Sequence, residues 1–243
     1  MTDGPGYYAH LTFNAPLSEH RADAIAQRLA AHEPADALDV GCGWGELLLR
    51  VLVHSPSTMG TGVDTDQRLL ARAAGAADAR GLTRRTVFAE VPATDVHDPA
   101  DLVICVGSSH ALDEDPAVAL GRLRGLVRPG GRLLLGEGFW EPRGPVDTAL
   151  VWDDVLALPD LGGLVDRCVA AGFRPLYVER ANADEWDAFE SSYLADVEEW
   201  LMSSPEGARA EEERTQADDH RRRWLHGYRN GLGFAYLTLG VPV

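Results

Sequence analysis

Between residues 35 and 140 the chain alternates short apolar runs with longer segments whose apolar positions recur every three or four residues. The short runs read as buried strands and the longer segments as amphipathic helices. Strands are predicted at 38–40, 59–63, 86–90, 101–106 and 132–136. The run at 101–106 is apolar after its first residue, as a central parallel strand should be. A helix over 19–32 precedes them, capped by Ser18 and carrying Ile25 and Leu29 on one face. Further helices follow the first strand (Leu47, Leu48, Val51 and Leu52), cover 67–80 behind Thr65 or Asp66 and ahead of Gly81, and run from Pro116 to 127. Strands alternating with helices predict an α/β domain with a parallel sheet. Beyond residue 140 the pattern becomes mainly helical: 161–171, a strand at 173–179, a long helix over 184–202, and a charged helix from Pro205 to about 225. A last strand covers 233–239.

The first strand runs into Asp39-Val40-Gly41-Cys42-Gly43-Trp44-Gly45-Glu46. A strand feeding a glycine turn feeding a helix puts bare backbone N–H groups at the helix N-terminus, where a carboxylate or phosphate is held. The dinucleotide fingerprint needs G-x-G-x-x-G; here the third glycine comes one residue early. Asp39-x-Gly41-x-Gly43-x-Gly45 instead resembles the first motif of the class I, Rossmann-like methyltransferases that use S-adenosylmethionine (SAM). Their ribose ligand is an acid at the end of the second strand, and Asp64 stands 21 residues after Gly43, close to the roughly 20 of such a unit. Arg128-Pro129-Gly130-Gly131 ahead of the fifth strand is a second recurrent feature of the class.

The resemblance covers residues 35–240 and implies a seven-stranded, mostly parallel sheet with helices on both faces. The last strand is antiparallel beside the fifth, with a helical insertion before it. The implied parts are an N-terminal flap and helix (1–34), a cofactor-binding core (35–183), the insertion (184–230) and the final strand (231–243). It implies SAM as cofactor and S-adenosyl-L-homocysteine (SAH) as product. The cofactor would be held by Asp39, Gly41, Cys42, Gly43, Gly45, Asp64, Thr65, Pro92, Ala93, Val106 and Gly107. Pro92 offers no N–H, so the adenine edge falls to the Ala93 amide and apolar packing, or to Glu90 or Asp95. The runs at 106–110, 136–141 and 184–190 look like a bacterial subgroup of these enzymes whose acceptor the resemblance does not supply.

Charge narrows the acceptor. With 38 acids against 22 bases the net charge is −16, which repels a polyanion and disfavours nucleic acid. Arg221-Arg222-Arg223 follows a run of acids and is expected to pair locally. A small-molecule acceptor is therefore expected. No apolar run approaches the roughly 18–20 residues of a membrane span, and the N-terminus lacks a signal layout, so a cytoplasmic location is expected. Cys42, Cys105 and Cys168 are widely spaced, without C-x-x-C, and read as free thiols. No metal site is expected, and the oligomeric state is not legible.

Methyl transfer from a sulfonium needs orientation and exclusion of water more than a nucleophile. His110, just after the fourth strand, is the candidate general base; the competing reading is a residue that caps the following helix or ties its loop. Glu137 either faces the site or is buried against an arginine. Tyr7, Tyr8, Phe139 and Trp140 are the expected walls of an acceptor pocket, with residues 1–16 either a flap over the site or a segment docked on the flank. The aromatic stripe of 184–202 reads as core packing or as a lid. A fold member that binds SAM without transferring a methyl group is the alternative function.

Overall fold

The computed structural model describes residues 8–203 and 206–243. Its elements are α1 (Glu19–Ala30), β1 (Asp36–Val40), α2 (Glu46–His54), β2 (Met59–Asp64), α3 (Gln67–Ala79), β3 (Thr86–Glu90), β4 (Ala100–Val106), α4 (Pro116–Leu126) and β5 (Val127–Trp140). They continue with α5 (Asp153–Leu156), α6 (Leu161–Ala170), β6 (Arg174–Arg180), α7 (Ala183–Ser203), α8 (Ala208–Arg222) and β7 (Leu232–Gly240). The strands form one seven-stranded sheet in the order β3-β2-β1-β4-β5-β7-β6. β1 pairs in parallel with β2 and β4, β2 with β3, and β4 with β5, while β7 runs antiparallel to β6. The chain therefore reverses its winding between β1 and β4, the place where open α/β sheets bind ligands.

Local chemistry sets the helix starts. Ser18 Oγ, Asp66 and Asp115 each accept an N–H from the first turn of α1, α3 and α4, and Pro116 opens α4. Arg85 closes the far end of α2, donating to the Leu52, Ser55 and Thr58 carbonyls at 2.8–3.1 Å. The sheet core is dry: Val40, Leu48, Leu49, Leu52, Leu102 to Cys105 and Leu133 to Leu135 are all at most 1% exposed.

The fifth strand departs from expectation. Pro129-Gly130-Gly131 does not turn into it but lies within it. The Gly130 N–H donates to the Val241 carbonyl, and Val241 N–H returns the bond to Gly131. A Cβ on Gly131 would come 2.7 Å from the Asp101 carbonyl oxygen, so glycine is required by close packing. The charged helix begins at Ala208 and ends in a π-helical turn, Arg223–Tyr228, which buries Trp224, Gly227 and Tyr228 together.

The chain divides into two compact units. One comprises 18–137, 161–180 and 234–243, the other 1–17, 138–160 and 181–233. Two segments fall differently from the expected division. α1 belongs to the sheet unit, because its stripe of Ala22, Ile25, Ala26 and Leu29 is buried and it packs with α2. Residues 138–160 join the helical unit, because Trp140, Val151, Val155 and Leu156 pack on Leu194, Trp224 and Tyr228. In that unit α7 buries Glu185, Glu190 and Asp196 beside Leu194 and Leu201. Its Trp186, Phe189 and Trp200 are half-buried and Tyr193 is exposed, so the aromatic stripe is not the buried face. Among the described residues no helix is long and apolar enough to cross a membrane.

Candidate cofactor site

The glycine turn is built around left-handed backbone. Gly41, Gly43 and Gly45 have φ of +67°, +54° and +66°, a region closed to most side chains. Their surroundings differ. A Cβ on Gly41 would lie 2.4 Å from Ser108 Cβ, and one on Gly45 2.7 Å from the Phe88 ring, whereas one on Gly43 would meet nothing within 4 Å. Two glycines are therefore packing requirements, and the third faces open space. Trp44 between them is buried, with Arg72 over its ring at 4.2 Å.

Asp64 closes the turn from the neighbouring strand. Its Oδ2 accepts the Gly43 N–H at 2.8 Å, and Oδ1 accepts those of Thr65 and Asp66 at 2.8 and 2.9 Å. Asp39 is paired in register with Gly62 of β2 and Ile104 of β4, and is only 5% exposed. Burial, and then the charge of Asp64, push its carboxyl up to about 8. Burial likewise raises the Cys42 thiol, with help from both aspartates.

The other predicted cofactor residues lie along the same edge of the sheet unit. Asp64 is in register with Glu90, and the Val91 N–H donates to the Asp64 carbonyl, so Pro92 and buried Ala93 start their loop beside Asp64. Glu90 is engaged by Gln67, and Asp95 is exposed beside Thr94. Val106 is in register with Gly136, and Gly107, at φ +70°, donates to the Gly136 carbonyl. Sequence reading missed Ser108, whose Oγ donates to the Val40 carbonyl at 2.6 Å and fills the space beneath Gly41. It also missed Phe88, which occupies the room left by Gly45 and Gly62. The only signal was the glycines themselves, which mark where a distant side chain comes close.

His110 sits on an exposed one-turn helix after β4. Among the described residues no arginine pairs with Glu137: the Ser109 side chain hydrogen-bonds it, and His110 is near enough to favour its charged form. Burial outweighs both and raises its carboxyl, whose Oε1 is buried without a hydrogen-bond partner. Of the expected acceptor walls, Tyr7 lies outside the described residues. Phe139 is a core residue rather than a pocket wall: it is 1% exposed, its ring occupying the space over Gly233 where a Cβ would come within 2.1 Å. Trp140 lies on Gly231 and against the Trp224 cluster. Tyr8 packs within the same helical unit, 6.1 Å from the Tyr193 ring.

This edge fits the cofactor the motif implies. Gly45 is the N-cap of α2 and brings no side chain to its first-turn N–H groups, which a carboxylate satisfies. The buried Asp39 carboxyl suits a cationic neighbour, and the face of Gly43 is open to receive a ligand. Fold and site together define a SAM-binding domain of the Rossmann-like kind.

Comparison with known proteins agrees. A family model described as a methyltransferase domain matches residues 38–133. The demethylmenaquinone methyltransferase of Thermus thermophilus is 32% identical over 156 residues, 64% of this chain and 70% of that one. YjhP of Escherichia coli is 25% identical over 233 residues, 92% of each chain. A SAM-dependent methyltransferase from Thiobacillus denitrificans, solved with SAH, superposes with a TM-score of 0.83 at 25% identity, covering 96% of this chain and 95% of that chain. The chain belongs to the class I, Rossmann-like SAM-dependent methyltransferases, and its cofactor is SAM.

Proposed function

We propose that the protein transfers a methyl group from SAM to a small-molecule acceptor, with His110 as the residue that takes or holds the acceptor's proton. Bound SAM supplies an electrophilic methyl carbon on a sulfonium. Asp64, the Gly43 face and the first turn of α2 hold and orient the cofactor, with Asp39 answering its positive charge. The observation that carries the role of His110 is the cluster at the end of β4. An exposed imidazole stands beside a buried carboxylate that Ser109 hydrogen-bonds, after the strand that follows the winding reversal. A net charge of −16 supports a small acceptor over a polyanion. Arg221 and Arg223 pair with Asp218 and Asp219 at 2.7 Å, so the basic cluster is largely neutralised where it stands.

The test is SAH release over a panel of small-molecule amines, phenols, thiols and carbon acids, followed by His110→Ala on whichever acceptor turns over. SAH affinity should stay within about threefold, while turnover falls roughly 10²–10⁴-fold. Full turnover in the variant refutes the base. SAM binding without SAH release on any acceptor favours a binding-only role.

A further inference from the structure

The helical unit carries a cavity of its own, of about 200 Å³, several times the roughly 30 Å³ that a water occupies in the liquid. Its wall combines ring faces and carboxylates with a few aliphatic side chains. Tyr193 on α7 stacks on His220 of α8, with centroids 5.3 Å apart and planes at 25°, and Tyr8 stands 6.1 Å from Tyr193 on the other side. Asp196, Glu213 and Gln216 add polar groups, and Leu194, Val197 and Ala217 supply the aliphatic remainder of the lining.

Among the described residues the cationic partners of the two acids lining this wall are long or shared, His10 also meeting Glu199 at 3.2 Å. Asp196, with its side chain 7% exposed, accepts the Ala9 N–H at 2.8 Å, and its closest basic group is the His10 ring at 3.5 Å. Glu213, with its side chain 18% exposed, meets Arg209 only at 3.9 Å, and that guanidinium lies over Trp200 instead. Behind His220, buried Glu190 accepts from Tyr228 Oη at 2.8 Å and from His220 Nε2 at 2.7 Å. A carboxylate can only accept, so Nε2 carries the proton and the ring is held face-on to Tyr193. Three carboxylates thus stand on or just behind a wall of ring faces. A neutral apolar ligand gains nothing from buried carboxylates, and an anion is repelled by them. An organic cation is attracted by both the ring faces and the acids.

We propose that this cavity is a binding site for an alkylated ammonium group carried on a small organic molecule. It stands apart from methyl transfer, since binding is read without SAM.

The probe is choline, titrated into the full-length protein by calorimetry and followed by saturation-transfer NMR. Its neutral carbon isostere, 3,3-dimethylbutan-1-ol, is the control. Choline should bind saturably at one site, and the isostere at least about tenfold more weakly, the size expected of a partly desolvated cation–π contact. Tyr193→Leu should weaken choline about tenfold while Tyr193→Phe stays within about threefold, since the ring face rather than the hydroxyl makes the contact. Glu213→Gln on α8 tests the charge by a separate route and should cost several-fold. Equal binding of choline and its isostere, or no saturation by either, overturns the proposal. So does wild-type affinity in both Tyr193→Leu and Glu213→Gln. SAH titrated into the same samples reports the cofactor site separately, so failure of one reading is visible apart from the other.

Discussion

Replacing Asp39 with asparagine should make the ligand-free protein more stable at alkaline pH and leave it almost unchanged at acid pH. The carboxyl is buried beside Asp64, and its folded value of about 8 stands well above the ordinary 3.8. Between these two values the folded chain holds a proton that the unfolded chain has lost. Stability contributed by this group is therefore greatest near pH 4 and falls as pH rises through 8. The gap sets a ceiling of about 6 kcal/mol, and relaxation within a real interior reduces this to roughly 1–3 kcal/mol. For a chain of this length that corresponds to about 2–10 °C in Tm. Asparagine copies the shape of the protonated acid without the titration. The assay is thermal unfolding of both proteins from pH 5 to 8.5, reading the difference in Tm so that all other groups cancel. The difference should be small at pH 5 and grow in favour of the variant up to pH 8.5. Asp64→Asn should shift the window to lower pH by removing the second charge. A pH-independent difference refutes the argument, because it would mean Asp39 is not carrying a proton in the folded state.

Gly41→Ala and Gly43→Ala should separate packing from binding. Both pay for left-handed φ, about 1–2 kcal/mol, but only the first collides with Ser108. Gly41→Ala should therefore show the larger loss in Tm, and Gly43→Ala a smaller loss of about 2–8 °C with much weaker SAH binding by calorimetry; the reverse order would contradict the geometry. Asp64→Ala should weaken SAH roughly 10- to 150-fold and also lower Tm, because its carboxylate ties down three backbone N–H groups. Unchanged binding would remove Asp64 from the site. Burial pushes the Cys105 and Cys168 thiols up to about 12 and raises Cys42 further still. Iodoacetamide at pH 8 should leave the folded protein unlabelled and modify all three cysteines after denaturation, as mass spectrometry would report.

What was legible in the sequence was what a few neighbouring residues decide. Apolar runs marked the strands, Ser18, the Thr65-Asp66 pair and Pro116 marked helix starts, and the glycine spacing after Asp39 marked a turn whose left-handed backbone is a local property. The fold followed because the strand–helix alternation is a short-range pattern, whereas Pro129-Gly130-Gly131, expected ahead of the fifth strand, proved to lie within it. Which side chains answer one another across the fold was decided by tertiary structure alone. Ser108 fills the space under Gly41 from 67 positions away, and Glu190 is met by His220 and Tyr228 from another helix and its π turn. Phe139 faces Gly233 rather than a ligand, and three acids of α7 lie inward while Tyr193 lies outward. Helical periodicity ranks positions by hydrophobicity, so it expects aromatic residues inside and carboxylates outside. A carboxylate can nevertheless be buried wherever distant donors meet it, and those donors leave no trace within the window of sequence around it.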